Sequence, residues 1–308
     1  MPDWTTTDIP ELTGRLAVVT GANSGIGYVT ALELVRKGAR VVLACRNEAR
    51  GRAAVERIRE EAPEGAAELG LLDLGDLASV REFADGLRHD RLDLLVNNAG
   101  VMALPYGTTA DGFETQFGVN HLGHFALTGL LLPRLLAAPG ARIVTVSSMM
   151  HALANIDPAD LNGTRHYRRW IAYARSKTAN LLFTHELARR LAAHGADVVA
   201  AAAHPGYAAT NLQTAGPRAE ARRVAERFME LGNRVIAQPA EAGALPTLYA
   251  ATAPGVRPDA FVGPSFAMWR GAPAPSRRAS WTLDDAMGVR LWEESERLTG
   301  VTYDALEA

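Results

Sequence analysis

Tyr173 and Lys177 stand four residues apart in IAYARSKTANLL, Ile171 to Leu182. On a helix that spacing puts both side chains on one face, one turn apart. The chemistry open to such a pair is proton transfer. A tyrosine, with a reference pKa of about 10, is a proton donor at neutral pH, and a nearby cation stabilises its anion and lowers that pKa. A carbonyl that takes up hydride at carbon needs a proton or a hydrogen bond at oxygen. A routine Tyr–Lys contact on a helix surface has the same spacing, so the pair alone does not decide. A hydroxyl partner is offered by RIVTVSS, Arg142 to Ser148. Adjacent strand residues point to opposite faces, so one of Ser147 and Ser148 should face a site. VNHLGHF, Val119 to Phe125, adds Asn120, a site residue or else a buried hydrogen bond that kinks a helix. His121 and His124 in that motif are three residues apart, but no carboxylate or cysteine accompanies them, so no metal site is expected. No G-x-S-x-G surrounds Ser148, which speaks against an acyl hydrolase.

These residues need a scaffold that brings distant segments together. Continuously apolar runs recur along the chain: LAVVT (Leu16–Thr20), RVVLAC (Arg40–Cys45), AELGLL (Ala67–Leu72), LDLLVN (Leu92–Asn97), RIVTVS (Arg142–Ser147) and DVVAAAAH (Asp197–His204). Such runs are the pattern of strands covered on both faces, as in a parallel sheet. Helical patterns fill the gaps, at Ile26–Lys37, Glu48–Glu61, Leu77–Arg88, Gly112–Leu136 and Ala179–His194. Repeated β-α-β units predict an α/β fold, a doubly wound parallel sheet with helices on both faces. Two stretches break the rhythm. Tyr207 to Gln238 carries the arginine-studded amphipathic segment RAEARRVAERFMELGNRV, and Pro264 to Arg278 is rich in Pro, Gly and Arg and reads as loop. A single domain over residues 1–308 is expected, with a substrate-side flap near 207–238 and a C-terminal extension near 264–308.

TGANSGIG, Thr20 to Gly27, joins the first strand to the first helix. A dinucleotide needs this construction. Gly21 allows a tight turn, Gly25 lets backbone approach a pyrophosphate, and Gly27 lets helix and strand pack closely, while the helix N-terminus offers N–H groups to phosphate. NNAG, Asn97 to Gly100, ends the fourth run at the sheet edge where ligands bind. Asn97 is expected to bond across neighbouring strands, and Ala99 and Gly100 to leave room beside a ribose. The second run ends at Cys45 and Arg46 follows, with no carboxylate until Glu48. A carboxylate there would hold the ribose 2′-OH of NAD, whereas a guanidinium suits the 2′-phosphate of NADP.

TGANSGIG, NNAG, VNHLGHF, RIVTVSS, YARSK (Tyr173–Lys177) and HPG (His204–Gly206) occur together in one order. With them the chain resembles the short-chain dehydrogenase/reductase family over about residues 14–263. The wording of YARSKTANLLFTHELARRL is similar to its retinol-dehydrogenase-like branch. The resemblance implies a catalytic set of Asn120, Ser148, Tyr173 and Lys177. In it Tyr173 is the general acid/base, Ser148 orients the substrate oxygen, Lys177 also bonds the nicotinamide ribose, and Asn120 helps hold a water that links the lysine to solvent. It implies a cofactor site at Gly21, Asn23, Ser24, Gly25, Ile26, Gly27, Arg46, Asp73, Leu74, Asn97, Ala99, Gly100, Tyr173, Lys177, Pro205, Gly206 and Thr210, with Asp73 at the adenine edge and Thr210 on the carboxamide or a phosphate. The cofactor expected is NADP(H), with NAD(H) left open. The extra segment Asn155 to Trp170 is expected at the pocket rim. For residues 215–235 a substrate lid, a packed helix and a membrane-surface helix all fit.

Composition narrows the partners. The chain has 308 residues and 32 Lys and Arg against 34 Asp and Glu, a net charge of −2, so no electrostatic footprint for nucleic acid is present. One cysteine, Cys45, excludes an internal disulfide and fits a reducing cytoplasm. No apolar run reaches the ~20 residues needed to span a bilayer, and the polar N-terminus shows no signal peptide. The expectation is a cytoplasmic enzyme acting on a small carbonyl or alcohol, free to form a homo-oligomer. The alternative is a non-catalytic NADP-binding regulator with the same fold.

Overall fold

The computed structural model describes residues 3–206 and 238–307. Its centre is an eight-stranded sheet in the order β3-β2-β1-β4-β5-β6-β7-β8. The strands are β1 (Leu16–Thr20), β2 (Arg40–Cys45), β3 (Ala66–Leu71), β4 (Leu94–Asn97), β5 (Ala141–Val146), β6 (Val198–Ala203), β7 (Phe261–Phe266) and β8 (Arg270–Pro275). All neighbours pair in parallel except β7 and β8. Alternating residues of β1 and β2 feed two separate cores. Val18, Val42 and Ala44 face the side covered by α3 (Leu77–Gly86), α5 (Gly123–Leu136), α6 (Arg169–His194) and α8 (Asp285–Thr299). Ala17, Val19, Val41 and Leu43 face α1 (Gly25–Arg36), α2 (Glu48–Glu61) and α7 (Ala240–Thr252). The fold is therefore the doubly wound α/β sheet that the apolar runs predict.

The structure corrects the sequence reading in three places. Pro264 to Arg278 is not loop: most of it forms the β7–β8 hairpin, with a register shift between Pro264 and Phe266. Proline lacks a ladder donor but is tolerated on an edge strand, and β8, with Pro273 and Pro275, is the sheet edge. The helix predicted from Gly112 starts later. Gly112 sits in a turn at φ +83, and the Glu114 carboxylate accepts from the Gln116 and Phe117 N–H groups to open α4 (Thr115–Phe117). A π turn, Gly118–Leu122, follows before α5. The helix predicted from Ala179 begins ten residues earlier, at Arg169, and so includes Tyr173 and Lys177. It stops at Gly195, whose φ of +73 provides the left-handed cap.

Candidate active site

The reversal of strand order lies between β1 and β4, and ligands of such sheets bind outside the carboxyl ends of strands at that point. Thr20 ends β1 and Asn97 ends β4. The Thr20 hydroxyl accepts the N–H groups of Asn98 and Ala99, both at 2.9 Å, and the Asn98 amide donates to the Thr20 carbonyl at 2.7 Å. The two turns are thereby locked together. A Cβ on Gly27 would lie 2.4 Å from the Asn98 amide nitrogen and 2.6 Å from the Gly21 carbonyl oxygen, so only glycine fits where α1 passes beneath them. Ser24 makes no side-chain cap to α1, and no acidic residue occupies its first turn. Among the described residues no side chain caps the Ser24-Gly25-Ile26 end of α1, so its N–H groups and positive dipole end suit a pyrophosphate.

Asn97 departs from expectation. It is fully buried and donates to the Thr128 hydroxyl of α5 at 3.0 Å, tying β4 to a helix rather than bonding across strands. Its neighbour Asn98, which the sequence reading passed over, holds the glycine turn. The doublet itself was the signal. Strand alternation requires its two members to face differently, but it does not say which faces what.

At the adenosine end, Arg46 follows β2 with its side chain 72% exposed and its Nε 3.8 Å from Asp73 Oδ2. Asp73 accepts from Gly75 N–H at 2.9 Å, which shapes the turn after β3, and Leu74 packs its side chain inward. The group that would carry a 2′-phosphate is therefore available, and its present partner is a single long contact.

β5 delivers the serines. Ser147 donates to the Lys177 carbonyl at 2.8 Å, so it braces α6. Ser148 turns the other way, caps Met150 N–H at 3.2 Å and sits near enough to the Tyr173 phenol to favour its anion. Tyr173 is 4% and Lys177 2% exposed. Lys177 Nζ donates to the Val146 carbonyl at 3.1 Å and lies 5.7 Å from the Tyr173 ring centre. Burial pushes the Tyr173 phenol up to about 12, opposed by the Ser148 hydroxyl, and pulls Lys177 down to about 8. The lowering of Tyr173 expected from Lys177 is therefore not seen: desolvation dominates, and what opposes it is Ser148. The ammonium is directed at a carbonyl rather than at the phenol oxygen.

Asn120 lies in the π turn and is also fully engaged. Its carbonyl oxygen accepts Val101 N–H at 2.7 Å, and its amide donates to the Val101 carbonyl and the Ser176 hydroxyl, both at 2.9 Å. Both amide protons are used, so the side chain acts first as a clamp, not as the donor to a water. A Cβ on Gly100 would lie 3.1 Å from Asn120 Oδ1 and 3.5 Å from Lys177 Nζ, which places the NNAG turn against Asn120 and Lys177. Gly206, after β6, has φ +64, and a Cβ there would strike the Trp269 carbonyl of the hairpin at 2.3 Å. Gln238 donates to the Pro205 carbonyl at 2.6 Å. Thr210 and the segment 215–235 lie outside the described residues.

The Asn155–Trp170 segment borders a small pocket with Phe117, Ile171 and Arg175. At 100° per residue, Ile171 and Arg175 lie on the opposite face of α6 from Tyr173 and Lys177. The segment thus rims a pocket behind α6. Among the described residues no cluster of His, Cys, Asp and Glu could hold a metal, and no helix is long and apolar enough to cross a membrane.

Known proteins share this arrangement. The family model for short chain dehydrogenases matches residues 15–221. Human retinol dehydrogenase 13 is 43% identical over 296 residues, which cover 94% of this chain and 85% of that protein. A crystal structure of an uncharacterized protein from Mycobacterium paratuberculosis is 47% identical, covers 98% of this chain and 99% of its own, and superposes with a TM-score of 0.82. A structure described as an NAD(P)-dependent gluconate 5-dehydrogenase from Beutenbergia cavernae, with bound NADP, is 30% identical with a TM-score of 0.61, covering 79% of this chain and 91% of that one. The chain belongs to the short chain dehydrogenase family.

Proposed function

We propose that this oxidoreductase is an NADP(H)-preferring carbonyl reductase or alcohol dehydrogenase, with a lipophilic aldehyde, ketone or alcohol as substrate. The observation that carries the reading is the convergence of Ser148 and Lys177 on the buried Tyr173, Ser148 favouring its anion and Lys177 lying one helical turn away, with the NNAG turn against them. The cofactor, when bound, supplies or accepts the hydride. The chain's own groups do the rest. Ser148 Oγ holds the substrate oxygen, and Tyr173 gives it a proton in the reduction direction. Pushed up to about 12, the Tyr173 phenol is in its proton-bearing form throughout the neutral range, and it becomes a better acid only as its pKa comes down toward the working pH. Arg46 supports the NADP preference, because no carboxylate competes for a ribose hydroxyl at that strand end. The lipophilic substrate class follows from the similarity to a retinol dehydrogenase. Cytoplasmic location and homo-oligomer formation belong to the same proposal.

The test is NADPH oxidation over a panel of aldehydes, ketones, quinones and steroids, with NADH in parallel and Tyr173→Phe beside the wild type. The variant should bind NADPH normally and lose turnover. Unchanged turnover removes Tyr173 as the acid. A wild type that binds NADPH but reduces nothing favours the regulator.

A further inference from the structure

His124, on the first turn of α5, is buried in a helix whose other buried positions are apolar or small apart from Thr128, with Phe125, Leu127, Leu131, Leu132 and Leu135 the largest. Both ring nitrogens are hydrogen-bonded. Nδ1 lies 3.0 Å from the Asn120 carbonyl oxygen and Nε2 lies 2.9 Å from the Thr20 hydroxyl. A carbonyl only accepts, so Nδ1 carries the proton. Thr20 Oγ1 already accepts two N–H bonds, from Asn98 and Ala99, and its own proton goes to Nε2 at 2.9 Å in preference to the other acceptor in reach, the Val96 carbonyl at 3.4 Å. The bonds run in one direction. Asn98 and Ala99 donate to Thr20, Thr20 donates to His124, and His124 donates to Asn120. Beyond it, the Asn120 amide donates to Ser176, and Ser176 donates to the Tyr173 carbonyl at 2.8 Å.

We propose that His124 is a positioning residue that couples the dinucleotide-binding turns to the catalytic helix, its two ring nitrogens fixing Thr20 on one side and Asn120 on the other. The proposal rests on the oxidoreductase reading above. The ring performs this role only when neutral. A proton on Nε2 would point at an oxygen whose lone pairs are both taken. Burial holds the ring's pKa down to about 4, with the Lys177 charge acting in the same sense against the bond to Asn120, so it stays neutral over the working range. His121, three residues earlier, contrasts with it. Its Nε2 bonds Ser295 of α8, away from the glycine turn, and nothing links it to Asn120 or Thr20.

The two bonds can be removed separately in the full-length protein. Asparagine at 124 places an amide donor near the Nδ1 position and keeps the Asn120 contact. Glutamine reaches the Nε2 position and keeps an acceptor for Thr20. Leucine keeps neither. The readouts are NADPH Kd by fluorescence titration and kcat with the best substrate of the panel, alongside melting temperature. His124→Leu should weaken NADPH and lower kcat, each by about 10- to 100-fold, as expected for misplaced reacting groups. His124→Gln should restore Kd but not kcat, and His124→Asn the reverse. A merely structural histidine would lower the melting temperature in all three while the folded protein kept wild-type Kd and kcat, and that result overturns the proposal. So does an equal loss of both constants in Asn and Gln. Should His124→Leu fail to fold, the Asn and Gln pair still decides. If the wild type binds NADPH but has no turnover, the enzymatic reading falls. The Kd difference between Gln and Asn still tests the coupling, and equal values then overturn it.

Discussion

Replacing Lys177 by methionine should make the cofactor-free protein more stable while abolishing its turnover. Burial lowers the lysine's pKa from 10.5 to about 8. At about 1.4 kcal/mol per pH unit, the buried charge costs about 3 kcal/mol wherever both folded and unfolded lysine are protonated, that is, below pH 8. Methionine is similar in length, apolar and adaptable, and removes that cost. It also removes the bond to the Val146 carbonyl, but this oxygen keeps the Asn180 amide at 3.2 Å and is not orphaned. A hydrogen bond from a charged donor is worth about 2 kcal/mol net, so the variant should gain about 1 kcal/mol at pH 7. For a chain of this size that is a rise of roughly 2 °C in melting temperature. The pH dependence gives the sharper test. Between pH 8 and 10.5 the unfolded wild type binds the lysine proton and the folded wild type does not, so wild-type stability climbs with pH and the variant's advantage shrinks. Urea midpoints for both proteins at pH 7 and pH 10 measure this directly. A variant less stable than wild type at pH 7, or an advantage that does not change with pH, would refute the reasoning.

Gly27→Ala puts a Cβ 2.6 Å from the Gly21 carbonyl oxygen, a backbone atom that cannot rotate away. It should cost about 1–3 kcal/mol in urea unfolding and weaken NADPH at least tenfold by titration. Arg46→Ala should weaken NADPH by about 10- to 100-fold, the value of one or two charge-assisted bonds, and leave NADH within about twofold. An equal loss for both removes Arg46 from the 2′-phosphate. Trp292→Ala empties a fully buried position packed against Phe125, Phe183 and Tyr303, and should cost about 3–5 kcal/mol in urea unfolding.

The strands were legible because burial on both faces imposes continuous apolar runs, as in Leu16–Thr20 and Arg40–Cys45. β8 was not, because RGAPAP has the composition of a turn and becomes a strand only by pairing with β7. The candidate site residues stood out as types at spacings, and the structure brings Ser148, Tyr173, Lys177 and Asn120 near one another. Their protonation was not legible. The pKa of Tyr173 depends on the balance between desolvation and a cation, and a motif does not state how deeply either group is buried. Nor was the division of labour in NNAG visible, since it turns on whether Asn97 or Asn98 points at the neighbouring helix.

Helix α6 shows why that buried chemistry does not unravel the fold. Tyr173, Ser176, Lys177, Asn180 and Thr184 form a polar stripe at helical spacing, and every one is buried. Such a stripe is expensive in a core unless its atoms are paired. Most are: Ser176 bonds the Tyr173 carbonyl, Lys177 and Asn180 share the Val146 carbonyl, and Thr184 bonds the Asn180 carbonyl. What pairing cannot recover is the desolvation of Tyr173 and Lys177. The second half of the helix offsets that. Phe183, Leu187 and Leu191 enter the main core, where Phe183 stacks on Trp292 and meets Phe125 edge-on. One continuous helix thus ties strained titrating groups at its beginning to the best-packed aromatic cluster at its end. The consequence is directional. Loosening the Trp292 cluster should disturb the site, whereas the Lys177→Met change at the site should leave that cluster intact.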